Sequence, residues 1–204
     1  MNIAVIGAGN IGRTLGNAWA RAGHHVVFGV RNPAADSVRE AREALGDSAQ
    51  VVGMSEAMSG AEIVALAIPG TAVDDFLREH AAGLSGKAIV DAANRAFGGS
   101  GPMNSVDSIR TTAQPRAIVR AFNSVGWENM AEPRFGETLA DMLYCADAAG
   151  RPIGEELIEA LGMRPVYVGD LDQVHLVDML TGLWAALAYG QKRGRRLAFK
   201  ILEG

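Results

Sequence analysis

Apolar and polar positions change period regularly along the chain. Residues 2–6 form a short apolar, β-branched run, and Ile11, Leu15, Ala18, Trp19 and Ala22 then recur at helical spacing over 10–22. That predicts strand, turn, helix. A second strand is predicted over 25–28, and a charged amphipathic helix over 35–45 that Gly46 stops. Residues 51–52 predict a short third strand, 55–58 a single helical turn, and 62–68 a buried strand ending at Pro69. A helix over 73–82 and strands over 88–92 and 117–121 continue the alternation. The pattern loosens after Phe122, through Pro133 and Gly136, and resumes as a strand over 142–145, a helix over 153–161 and a strand over 166–168. The longest apolar helix is predicted over 174–189.

Strands that alternate with helices imply an α/β protein with a doubly wound, mostly parallel sheet. Turn formers and charges at 132–138 place a boundary there, dividing the chain into residues 1–135 and a small α/β cap over 136–204, expected to cover substrate and support dimerisation.

Composition narrows the class. The 25 glycines in 204 residues exceed the usual ~7% and are spread along the chain, as tight element junctions require. One cysteine, Cys145, can form no internal disulfide, which fits a reducing compartment and a cytoplasmic location. The net charge of −4 gives no basic field for nucleic acid, and no apolar run reaches the ~18 residues of a membrane span. That leaves a small molecule as the expected partner, with a homodimer as the assembly.

The strongest chemical signal is Gly7-Ala8-Gly9-Asn10-Ile11-Gly12, directly after the first strand and opening the first helix. In this context it reads as the Rossmann-type dinucleotide fingerprint, with the pyrophosphate at the helix N-terminus. The second strand ends in Phe28-Gly29-Val30-Arg31-Asn32. A carboxylate there would favour the free ribose hydroxyl of NAD, whereas Arg31, with Asn32 beside it, suits the 2′-phosphate of NADP. Arg13 offers a second cation. Ala67, Ile68 and Pro69 end the fourth strand, and Asn94 follows the fifth; both lie at the carboxyl edge where cofactors bind.

The search for catalytic groups finds no metal pair among the four histidines, no nucleophile elbow and no carboxylate dyad. His175, on the long apolar helix, is either a histidine pointing into a substrate cleft or one hydrogen-bonded within its helix. Hydride transfer suits such a set, because the cofactor performs the chemistry and the protein aligns two rings. A flavin-like ring needs less proton transfer from protein than an alcohol does. A hydroxyacid dehydrogenase would be expected to place a lysine in the long helix, and 174–189 contains none.

With these residues in view, the chain resembles the NADPH-dependent coenzyme F420 reductases, which move hydride between NADP and a 5-deazaflavin. The Gly7–Gly12 loop, Gly29-Val30-Arg31 and Ala67-Ile68-Pro69 look like that family's NADP site, and Ala121 to Met130 is similar to the segment bordering its deazaflavin pocket. The resemblance implies Asn123, Val125 and Trp127 as acceptor contacts, with NADP as cofactor and F420 or a flavin as co-substrate. The same module resembles the cytosolic dinucleotide domain of membrane ferric reductases. The basic set Lys192, Arg193, Arg195, Arg196 and Lys200 offers a site for an anionic deazaflavin side chain or a solvated tail, and Trp184 offers a ring wall or core. Two rival readings are a reductase of an imine or carbonyl and a dinucleotide-sensing module without turnover.

Overall fold

The computed structural model describes residues 1–35, 38, 50–95 and 101–204. The helix expected over 35–45 lies almost wholly outside them. The chain opens with β1 (Asn2–Ile6), α1 (Asn10–Arg21) and β2 (His25–Val30). It continues through β3 (Gln50–Gly53), α2 (Met54–Ser59), β4 (Ile63–Leu66), α3 (Val73–Leu84) and β5 (Ala88–Asp91). Then come α4 (Val106–Ala113), β6 (Ala117–Arg120) and α5 (Trp127–Ala131). The remainder comprises the hairpin β7 (Arg134–Phe135) and β8 (Thr138–Leu139), β9 (Asp141–Ala146), α6 (Arg151–Glu159), β10 (Arg164–Gly169) and α7 (Val174–Ala185).

The main sheet has the order β10-β9-β6-β5-β4-β1-β2-β3, parallel throughout except where β9 runs against β6. Its six N-terminal strands therefore form the doubly wound order 3-2-1-4-5-6. Residues 136–204 add β9 and β10 to this same sheet, next to β6. The stretch around 132–138, where the apolar pattern breaks, is the β7–β8 hairpin.

Successive strand residues face opposite sides of the sheet. Ile3 and Val5 pack with Leu15 and Trp19 of α1 and Leu157 of α6, while Ala4 and Ile6 pack with Phe76 and Leu77 of α3 and Ile109 of α4. Burial on both faces explains why the central strands read as unbroken apolar runs. Helix α4 has no such signal: only Val106, Ile109 and Ala113 are buried among polar neighbours, and it was not predicted. The predicted 174–189 helix is α7, closed by a wider π turn over Ala186–Gly190.

Candidate functional site

The dinucleotide loop is shaped by backbone approaches that admit no side chain. Gly7 has φ 106° and donates its N–H to the Gly29 carbonyl at 2.9 Å; a Cβ there would lie 2.5 Å from the Ala67 carbonyl oxygen. At Gly12 a Cβ would stand 2.0 Å from the Gly7 carbonyl oxygen, so only glycine lets α1 start this close to the turn. Gly9 differs. It is exposed, and no heavy atom lies within 4 Å of where its Cβ would be. Open space thus faces the unpaired N–H groups of the first turn of α1, where anions bind favourably.

Two cavities flank this loop along the carboxyl edge of the sheet. One, of about 680 Å³, is lined by Gly9, Asn10, Ile11, Ala67, Ile68, Pro69, Asn94, Asn123, Val125 and Trp127, together with Ala92, Ala93, Phe122 and Arg195. The other, of about 690 Å³, holds Arg31 across from Ala72, Phe76 and His80, and shares the Ile68-Pro69 wall with the first. A ligand spanning both would cross the front of the glycine loop. Arg31 is exposed and carries no ion pair among the described residues. Gly7, Ala8 and Gly12 shape the turn without lining either cavity, and Asn32 holds its own loop by accepting the Ala34 N–H at 3.0 Å.

Other expected site residues lie elsewhere. Arg13 lines a separate groove and hydrogen-bonds Asn10 Oδ1 at 2.9 Å, so it does not join Arg31. His175 is exposed at the start of α7 beside a further depression with Asp107, Arg110 and Asp170, away from the glycine loop. The expectation that it enters the substrate cleft is corrected: His175 sits beside Asp107 and Arg110 of α4, and α7 meets the cavity wall farther along, where Thr181 accepts from Asn123 Nδ2. Trp184 is buried and donates to the Leu197 carbonyl at 2.7 Å, so it acts as core. Arg195 is paired with Glu128 (2.5 Å), Arg196 with Glu132 (3.5 Å) and Lys200 with Asp141 (2.8 Å). These ion pairs tie the C-terminal segment to the body.

A buried polar network behind the cleft has no local sequence signal. Asp91 and Arg120 are directly paired across β5 and β6, so both side chains point to the same face. Arg120 is fully buried, 3.2 Å from Asp91 Oδ2 and 2.8 Å from Asp178 Oδ1 on α7. Burial pushes the Asp91 carboxyl up, against the lowering effect of Arg120 and of the Ser105 and Ala93 N–H groups. Arg120 also donates to Asn94 Oδ1 at 2.7 Å, and Asn94 Nδ2 donates to the Asn123 carbonyl at 2.9 Å. Both ends of the Asn94 amide are therefore committed. Asn123 Nδ2 donates to Thr181 Oγ1 at 3.0 Å, while its Oδ1, buried, has no partner. An acceptor atom left unpaired in a cavity wall suits a ligand N–H, since leaving it unmet costs about 1–3 kcal/mol.

The bend that brings Asn123 to the cleft is unusual. Phe122 has φ 64° and is buried with its ring edge-on to Trp19 at 5.7 Å. A bulky residue in this region costs on the order of 1–3 kcal/mol and persists where packing holds it, often beside a binding site. Cys145 is remote from such chemistry: burial pushes its thiol up to about 12.

Sheet order, glycine turn and paired cavities together define a Rossmann-type dinucleotide fold. Residues 2–95 match the family model described as NADP oxidoreductase, coenzyme F420-dependent. Among curated proteins, the chain is 25% identical over 189 residues to the metalloreductase STEAP3 of Rattus norvegicus, an alignment covering 87% of this chain and 36% of that protein. Among solved structures, a candidate F420-dependent NADP-reductase from Arthrobacter sp. FB24 superposes over 100% of both chains with a TM-score of 0.85 at 24% identity. An imine reductase from Streptomyces aurantiacus superposes over 94% of this chain and 65% of that one, with a TM-score of 0.68 at 19% identity. At these identities the structural matches establish the fold. No helix among the described residues is long and apolar enough to cross a membrane.

Proposed function

We propose that the chain is an oxidoreductase passing hydride between NADP(H) and a deazaflavin or flavin-type ring. The observation that carries this is the lining of the 680 Å³ cavity. Among its residues only Arg195 is charged, and Glu128 already engages that guanidinium at 2.5 and 3.0 Å. Among the described residues, no group lining this cavity is suited to giving or taking a proton near neutral pH. A carbonyl or imine acceptor develops charge that calls for such a group, whereas a reduced deazaflavin or flavin spreads its charge over the ring and its carbonyls.

Bound across the glycine loop, NADP(H) would supply or receive the hydride at its nicotinamide C4. The protein's share is placement. Gly9 leaves room for the pyrophosphate before the α1 N-terminus, Arg31 meets the 2′-phosphate, and Ile68, Phe122, Val125 and Trp127 exclude water around the rings. Asn123 Oδ1 accepts an N–H from the nicotinamide carboxamide or the acceptor ring.

The test has two arms. NADPH and NADH are titrated separately against the protein and its Arg31→Ala variant, and NADPH oxidation is followed with a deazaflavin, FMN and a panel of imines and carbonyls. The reading expects NADPH to bind more tightly, at least a tenfold loss for NADPH in the variant with little change for NADH, and turnover with a ring acceptor. Equal losses for both nucleotides would remove the assigned role of Arg31. Turnover confined to imines or carbonyls would replace the proposed reaction, and tight binding without reduction of any acceptor would favour a sensing module.

A further inference from the structure

Beside the proposed hydride-transfer cavity lies a groove of about 540 Å³ between the outer face of α1, helix α5 and the end of α6. Asn10 and Trp127 line both spaces, so the groove opens off the cavity that receives the acceptor ring. Its α1 wall carries Arg13, Asn17 and Arg21 at successive four-residue steps, which places them along one helix face. Arg13 and Arg21 are eight residues apart, or about 12 Å along the axis. No Asp or Glu lines this groove, and neither arginine forms an ion pair among the described residues. The C-terminal Arg195, Arg196 and Lys200 are, by contrast, each held by a carboxylate of the fold.

We propose that this groove seats an anionic chain carried by the acceptor, with Arg13 and Arg21 binding its phosphate or carboxylate groups. This rests on the hydride-transfer reading of the adjoining cavity. Two guanidiniums without a carboxylate partner among the described residues, Arg13 held only by the Asn10 amide oxygen, form a complement to phosphate or carboxylate oxygens, and Arg offers them paired N–H donors. The ring would lie beside Trp127 and the chain would run along α1 away from the sheet. Arg13, near the cavity, would meet an anion close to the ring; Arg21 would meet one farther along the chain.

The test compares matched acceptors that differ only in their tails: riboflavin with FMN, and a 5-deazaflavin bearing its anionic side chain with the same ring in its neutral ribityl form. KM and kcat are measured with NADPH, and ring binding is measured by fluorescence quenching without NADPH. The account expects each anionic ring to have the lower KM and Kd. Arg13→Ala/Arg21→Ala should raise both at least tenfold for the anionic rings, change the neutral rings less than twofold, and leave NADPH affinity unchanged. Arg116→Ala, at an exposed arginine outside both the groove and the cavity, serves as the control and should change nothing. Greater dependence on FMN's single phosphate would place the anion at Arg13, and an effect confined to the long-tailed deazaflavin would place it at Arg21. Equal weakening of neutral and anionic rings, or no effect on either, would overturn the proposal. If no ring is reduced but the anionic ring still binds more tightly through these arginines, the hydride reading fails while the groove assignment stands; absence of binding overturns the groove itself.

Discussion

Gly9 and Gly12 differ sharply in what a side chain would meet within one six-residue loop. At Gly12 a methyl group would collide with the Gly7 carbonyl oxygen at 2.0 Å, whereas at Gly9 it meets nothing within 4 Å, at a φ of −75° that alanine readily adopts. Gly9→Ala should therefore unfold within about 0.5 kcal/mol of the parent and yet lose at least tenfold in NADPH affinity, because its methyl would occupy the space proposed for the pyrophosphate. Gly12→Ala should lose about 1–3 kcal/mol of stability as well. Denaturant titration alongside nucleotide titration distinguishes them, and an unaltered affinity in Gly9→Ala would contradict the site. A similar contrast holds behind the cleft. Asp178→Ala leaves the fully buried Arg120 with one carboxylate instead of two, and breaking a buried pair this way costs about 3–5 kcal/mol. Asp178→Asn, which keeps an oxygen for Arg120, should lose less stability. Parity between the two variants in urea unfolding would remove the charge argument.

At the scale of elements, one carboxylate on β9 anchors the end of the C-terminal segment to the sheet. Asp141, at the start of β9, receives Arg164 through two hydrogen bonds of 2.9 and 2.8 Å, Lys200 at 2.8 Å and the Ile201 N–H at 2.6 Å. Burial alone would raise its carboxyl, but these donors override burial and lower it from 3.8 to about 2. A carboxyl lowered in the folded state contributes stability that is present above about pH 4 and is lost as pH falls towards 2. The difference amounts to about 2 kcal/mol. Asp141→Asn should be less stable than the parent at pH 6 by roughly that amount, with the gap closing between pH 4 and 2; a gap independent of pH would assign the loss to packing. Much of this level was legible in the sequence. β1, β2, β4, β5 and β6 are contiguous apolar runs because both faces of the sheet are covered, and α1 announces itself through Leu15, Ala18 and Trp19. Helix α4 was not legible, since its three buried side chains sit among polar residues. The two-residue strands of the β7–β8 hairpin are too short to establish a period.

For the whole molecule, the legible part of the candidate site is the part built from contiguous sequence. The glycine loop, Ala67 to Pro69 and the Asn123 to Trp127 segment meet at one sheet edge because each follows a strand of the parallel sheet. What could not be read is what folding assembles from distant positions: the pairing of Arg120 with Asp91 and Asp178, the commitment of Lys200 and Arg195 to carboxylates, and the remoteness of His175 from the cleft. A charged Arg120 at the end of an otherwise apolar run was the one hint, since a buried guanidinium needs partners, but nothing in the spacing named them. The reaction proposed for this architecture is a single chemical event: direct transfer between two rings stacked at the carboxyl edge, with no acid among the described lining residues at the transfer point. The most direct test is to supply NADPH carrying deuterium at one or the other C4 position and to read the reduced deazaflavin by mass spectrometry. The account predicts one deuterium on the acceptor ring carbon from one of the two labelled forms and none from the other. Reduction of the ring without deuterium from either form would contradict direct transfer in this cleft.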